Sequence, residues 1–144
     1  MTVNSFVDSN VIIYSYERDK KSSSARALVG RLADAGSLVI SSQVVAETYA
    51  NLFRAMGGAI ARPLIDSLVS SAQIWPLDAR SVELAFAIHD RYLYSYWDCQ
   101  ILAAAKLSGA RYLLTEDLQD GQVIEGVTIV DPFRPCFDVG ELIG

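Results

Sequence analysis

A chain of 144 residues, 51% hydrophobic and 20% charged, is built for one globular core and excludes a disordered polymer. No apolar run approaches the ~18–20 residues that a membrane-spanning helix needs. The formal net charge of −5 argues against a general polyanion binder, because phosphate contacts draw on Lys and Arg.

The start, MTVNSFVDSN, has no basic n-region and no long apolar stretch, so no signal peptide is expected and a cytosolic location follows by default. Val3–Val7 reads as a short strand running into Asp8. Asn10–Tyr16 is apolar enough to start a buried helix, and the charged run Glu17–Lys21 breaks it. Ser22–Ala35 repeats apolar residues at the helical period through Ala25, Leu28, Val29 and Leu32, with Gly36 as C-cap. Leu38–Ile40 is a short apolar strand. Ser41 or Ser42 caps the next helix, which runs to about Met56 on an apolar face of Val45, Tyr49, Leu52 and Met56, until Gly57-Gly58 stops it.

Ala59–Ser70 is a further helix with Pro63 in its first turns. Ala72–Trp75 is a strand closed by Pro76. Asp78 caps a helix to about Asp90, and another spans Tyr96–Leu107, ended by Ser108-Gly109. Tyr112–Leu114 and Val127–Val130 are strands, with turn-rich Glu116–Gly121 between them. Strands alternating with helices predict a single α/β domain over residues 1–144 with a central, mostly parallel sheet.

In such sheets ligand sites gather at the carboxyl ends of the strands. Four acids fall there. Asp8 follows the first strand, and Asp117 follows Tyr112–Leu114. Glu47 lies within two turns of the start of the helix after Leu38–Ile40, and Asp98 in the first turn of the Tyr96–Leu107 helix. Gln43, Glu47 and Asn51 share one polar stripe at i, i+4, i+8. Clustered carboxylates repel, and either a raised pKa or a bound cation resolves the repulsion. His89 is the sole histidine, and Cys99 and Cys136 have no metal-type spacing. Oxygen-bound Mg2+ or Mn2+ is then the natural chemistry, one in which a metal-activated water attacks a phosphodiester.

Each acid also has a plain structural reading. Asp8 can cap a helix, Ser95-x-x-Asp98 resembles a capping box, Glu47 can be a solvated helix residue, and Asp117 a turn residue. Arg18, Lys20 and Lys21 can hold phosphates, although a charge run after a helix is more often a solvated face. Tyr92, Tyr94, Tyr96 and Trp97 can stack on bases, with packing in a core or subunit interface the commoner role. Cys99 reads as a small core residue.

Five segments carry a family pattern: Phe6–Tyr14, Ile40–Glu47, Ser95–Ala105, Leu113–Gly121 and Ile129–Phe133. Together, and in this order, they resemble the PIN domain family, and within it the VapC-like ribonuclease toxins of toxin–antitoxin pairs. The resemblance implies a three-layer α/β/α fold. It places Asp8, Glu47, Asp98 and Asp117 on the family's acidic metal-binding positions and Thr115 on the Ser/Thr position that supports the last acid. It suggests that Asn10 orients the site and that Asp120 is an outer ligand. The implied activity is Mg2+- or Mn2+-dependent endonucleolytic cleavage of RNA. The implied partners are a second copy of the chain and a small VapB-like antitoxin. Two other readings compete. An aspartate phosphotransferase would want a second acid where Asp8-Ser9-Asn10 has Asn, and a non-catalytic PIN-like module would not need all four acids.

Overall fold

The computed structural model describes residues 3–143. It contains strands β1 (Ser5–Val7), β2 (Leu38–Ser41), β3 (Gln73–Trp75), β4 (Tyr112–Leu114), β5 (Val123–Ile124) and β6 (Val127–Val130). The helices are α1 (Ser9–Tyr14), α2 (Ser22–Asp34), α3 (Ser42–Met56), α4 (Gly58–Ser71), α5 (Ala79–Arg91), α6 (Tyr96–Leu107) and α7 (Gly140–Ile143). One sheet has the order β3-β2-β1-β4-β6-β5 and is parallel except for β5. None of the helices is long and apolar enough to cross a membrane among the described residues.

This order has one reversal. From β1 the chain winds outward through β2 to β3, then crosses back to β4 on the other side of β1. Crossovers of this kind are right-handed, so the two winding directions send their helices to opposite faces. The packing agrees: α1 contacts α2 and α3, α3 contacts α4, and α5 pairs with α6. The result is the predicted three-layer α/β/α arrangement. The central strands are buried on both faces, and Phe6, Ile40, Leu113, Leu114 and Ile129 are among the largest fully enclosed side chains.

Local chemistry accounts for the boundaries. Ser41 caps α3 by accepting from the Val44 amide at 3.3 Å, and Asp78 with Ser81 forms a reciprocal capping box on α5. Gly57 takes φ +79°, which ends α3, but no loop follows: α4 restarts at Gly58, one residue before the expected start.

Three details depart from expectation. The face of α3 that is fully enclosed is Val44, Thr48 and Leu52. Val45, Tyr49 and Met56 are only partly buried, because Val45 and Tyr49 look toward Ile65 and Val69 of α4. A short antiparallel strand, β5, forms where only turns were expected; its turn onto β6 uses Glu125 and Gly126 at φ +52° and +83°, the primed hairpin geometry. Helix α7 also went unpredicted, and its Leu142 is buried.

Phe6 lies on the central strand with no exposed surface. Phe6→Ala should destabilise the fold by ~3–5 kcal/mol, read as a lower midpoint in urea; a midpoint within error of wild type would show that the centre of the sheet does not limit stability.

Candidate active site

The reversal of strand order lies between β1 and β4, the place where an open α/β sheet parts its loops and leaves a crevice. The register there pairs Val7 with Leu114. Asp8 therefore leaves β1 beside Thr115 leaving β4, and the Asp8 amide still donates to the Leu114 carbonyl at 3.0 Å. Both side chains are buried, Asp8 with 7% of its surface exposed.

Asp8 is fixed by both carboxylate oxygens. Oδ1 accepts from the Ser9 amide at 2.7 Å and so caps α1. Oδ2 accepts from the Thr115 hydroxyl at 2.9 Å. The capping role and a site role thus coexist in one residue. Thr115 Oγ1 is a hub: it also accepts from Asn10 Nδ2 at 3.2 Å and from the Asp117 amide at 3.1 Å. Asn10 Nδ2 donates in addition to Asp117 Oδ2 at 2.8 Å. Four residues, two at the start of α1 and two in the loop after β4, are wired together through one hydroxyl and one amide.

The other two acids arrive on helices. Glu47 is exposed in the second turn of α3, and Asp98 is half-buried in the first turn of α6, where Ser95 Oγ accepts from its amide at 3.2 Å. Burial pushes the Asp8 carboxyl up to about 6; the bonds from Thr115 and Ser9 pull it down, and the charges of Glu47 and Asp117 push it up again. Burial also raises Glu47 and Asp98. Asp98 acts on Glu47 and Asp117 acts on Asp98 by charge, while Gln43 and Ser95 offset part of each rise. Charge links the four acids in pairs: Asp8 feels Glu47 and Asp117, Glu47 feels Asp98, and Asp98 feels Asp117; the four are termed the acid ring.

Among the described residues, no three His, Cys, Asp or Glu side chains converge closely enough to hold an ion directly. The donor chemistry nevertheless fits a hard divalent cation. All four groups offer carboxylate oxygens, and Mg2+ binds through one or two carboxylates while keeping several waters. The carboxamide oxygens of Asn10 and Gln43, both buried, have no hydrogen-bond partner.

Asp120 lies apart from the ring. Its Oδ1 accepts from the Asp131 amide at 2.8 Å and from Arg134 Nη1 at 3.2 Å, which commits it to anchoring the segment before α7. Lys21 is not free for phosphates: it pairs with Glu116 and lies over the rings of Tyr14 and Phe133 at 5.1 and 5.3 Å. The same Glu116 accepts from the Tyr14 hydroxyl at 2.7 Å. This clamp was not anticipated; its signal was the i, i+4 spacing of Asn10 and Tyr14 on α1 and the position of Glu116 between Thr115 and Asp117. Cys99 is fully buried as expected, and both cysteines are free.

The family model described as PIN domain matches residues 5–119. The chain belongs to the PIN domain family. Among solved structures it is similar to a toxin–antitoxin complex from Klebsiella pneumoniae, at 20% identity and a TM-score of 0.71 over 90% of this chain and 98% of that one. FitAcB from Neisseria gonorrhoeae gives 18% identity and a TM-score of 0.68 over 90% and 98%. VapC20 of Mycobacterium tuberculosis, described as a sarcin–ricin loop cleaving toxin, gives 22% and 0.60 over 76% and 87%. At these identities the likeness is one of fold. No curated protein sequence matches the chain.

Two outcomes follow from the wiring. Asp8 titrates near 6 in the fold against its ordinary 3.8, so between these pH values the folded state holds a proton that the unfolded chain has released. The contribution of Asp8 to stability in chelator should therefore be fully present below about pH 4 and be lost, by on the order of 3 kcal/mol, as pH rises through 6. Denaturant midpoints across that range test this against Asp8→Asn, in which that part of the slope should vanish; an identical slope in the variant rules Asp8 out as its source. Thr115→Val keeps the shape but strips the hydroxyl from three partners, and should destabilise by ~1–3 kcal/mol.

Proposed function

We propose that this protein is a Mg2+- or Mn2+-dependent endoribonuclease and the toxin of a toxin–antitoxin pair. The observation that carries this reading is the set of Asp8, Glu47, Asp98 and Asp117 around the strand-order reversal, with a buried Asp8 that is acted on by the charges of Glu47 and Asp117. Membership of the PIN domain family supports the nuclease class. The similar folds that are themselves toxins or toxin–antitoxin complexes support an antitoxin as partner. A second copy of the chain and a cytoplasmic setting complete the proposal.

Asp8 and Asp98 would hold the cation directly, with Glu47 and Asp117 acting partly through its waters. The bound ion would supply an activated water and stabilise charge developing on the phosphate. The chain's own contribution is orientation. Thr115 and the Ser9 amide fix the two oxygens of Asp8, and Asn10 holds Asp117 toward the ring. Ser95 steadies the turn that carries Asp98. No protein nucleophile is needed, which suits a site with no histidine or cysteine among its four acids.

That no three His, Cys, Asp or Glu side chains converge on one ion position among the described residues also favours a second reading, a PIN-like binding module without turnover. One assay separates the two. Structured RNAs are incubated with wild type, Asp8→Asn and Asp98→Asn, in Mg2+ or Mn2+ and in chelator. The nuclease reading expects cleavage only by wild type with metal, and a loss on the order of 100-fold or more in each variant. Equal cleavage by all three proteins would end it, and cleavage in chelator would end the metal mechanism. In the same buffers, Mg2+ should raise the thermal midpoint of wild type and not that of Asp8→Asn.

A further inference from the structure

The acid ring has two unlike borders. On one side lie Tyr14, Lys21 and Glu116, paired with each other, and Asn10, which donates to Asp117. On the other lies a cavity of about 380 Å³ lined by Gln43, Ala46, Glu47, Leu77 and Trp97. Glu47 belongs to the ring, and Trp97 immediately precedes Asp98 in the first turn of α6. The cavity therefore opens directly beside the acids.

Its walls are apolar where the rest of the site is not. Leu77 is 40% exposed and Trp97 60% exposed, although both are large hydrophobic side chains that burial would favour. The indole is not loose. It meets the Tyr96 ring edge-on at 5.4 Å. Tyr96 is itself braced by Phe86 at 5.6 Å and by its hydroxyl donating to Gln100 Oε1 at 2.8 Å. A braced, solvent-facing indole is a stacking platform.

From this arrangement we propose that the Gln43–Leu77–Trp97 cavity is a nucleobase subsite, in which the base next to the scissile phosphate stacks on Trp97; the proposal rests on the nuclease reading above. A phosphate held at the ring has a base one nucleotide away, and that base needs a surface. Neither Lys nor Arg lines the cavity, and Glu47 repels anions there, so it suits an uncharged ring rather than a second phosphate. Gln43 also lines the cavity, but its carboxamide oxygen is enclosed, so the base is held by stacking and not by that oxygen. Stacking on an aromatic side chain tolerates any base, so the subsite orients the strand more than it reads sequence.

The test uses binding as well as cleavage. Tryptophan emission is followed as single-stranded oligoadenylate is added with Ca2+ in the buffer. Oligoadenylate should quench wild type and Trp75→Phe alike, and should leave the remaining emission of Trp97→Phe unaffected. Trp97→Ala should weaken binding about 5- to 150-fold, the range of one base–aromatic stack, and raise the KM for RNA cleavage more than it lowers kcat. Trp97→Tyr should restore most of the affinity, which a role in packing alone would not predict. Undiminished affinity in Trp97→Ala overturns the subsite. So does quenching by a basic peptide and not by oligoadenylate, which would give the cavity to a protein partner. So too does a changed oligomeric state in Trp97→Ala with RNA affinity kept, which would give it to a second copy. Quenching without any cleavage leaves the subsite and removes the nuclease reading; cleavage with affinity unaltered in Trp97→Ala does the reverse.

Discussion

The parallel register of β1 with β4, Val7 opposite Leu114, is the constraint on which the site depends. It brings two residues 107 positions apart, Asp8 and Thr115, into a buried hydrogen bond at the end of the sheet. A slip of one residue would turn each side chain to the opposite face and leave a buried carboxylate without its hydroxyl. The register is itself held by burial. Both strands have enclosed residues on both faces, so neither can shift without exposing Phe6 or Leu113. Core packing and site assembly are one constraint seen from two ends.

Gathering four carboxylates at one edge works against stability, and the neighbouring groups limit that effect without cancelling it. Hydrogen bonds from Thr115, Ser9 and Asn10 to the carboxylates share the load, and Ser95 steadies the turn of Asp98 by accepting from its amide. Lys21 is drawn to Glu116, which it neutralises, with the rings of Tyr14 and Phe133 beside it. A cation delivered by the protein itself would satisfy the ring and close it to a metal. The clamp keeps the positive charge one residue away while tying α1, the loop before α2 and the loop after β4 into a single support. In the proposed function, unrelieved repulsion in a hydrogen-bonded frame would favour uptake of a divalent ion.

The two borders of the ring divide the labour of recognition in the proposed function. The polar border is held by internal bonds among Tyr14, Lys21 and Glu116 and acts as scaffold. The apolar border, with Leu77 and Trp97 exposed, has surface to offer a ligand. Such a division also reconciles the net charge of −5 with a nucleic-acid substrate: a metal neutralises phosphate, and a stacked base adds affinity without basic residues.

Much of this was legible in the chain alone. The period of apolar residues, the caps at Ser41, Asp78 and Ser95, and the alternation of strands with helices specify the elements, because local hydrogen bonding and burial patterns are short-range. Short-range signals also put Asp8, Asp98 and Asp117 next to element ends. They failed for β5, which is two residues long and stands only by pairing with β6, and for the inward face of α3, which the sheet beneath it chooses. Tertiary structure alone decided what the acids meet. Thr115 as a shared hub, Asp120 turned toward Arg134, Lys21 captured by Glu116 and an indole propped beside Asp98 all join residues distant in sequence or set by packing. The amino-acid order determines which groups are available and which elements carry them. Strand register and helix packing determine which of those groups share a dielectric and a hydrogen bond, and neither can be read from spacing along the chain.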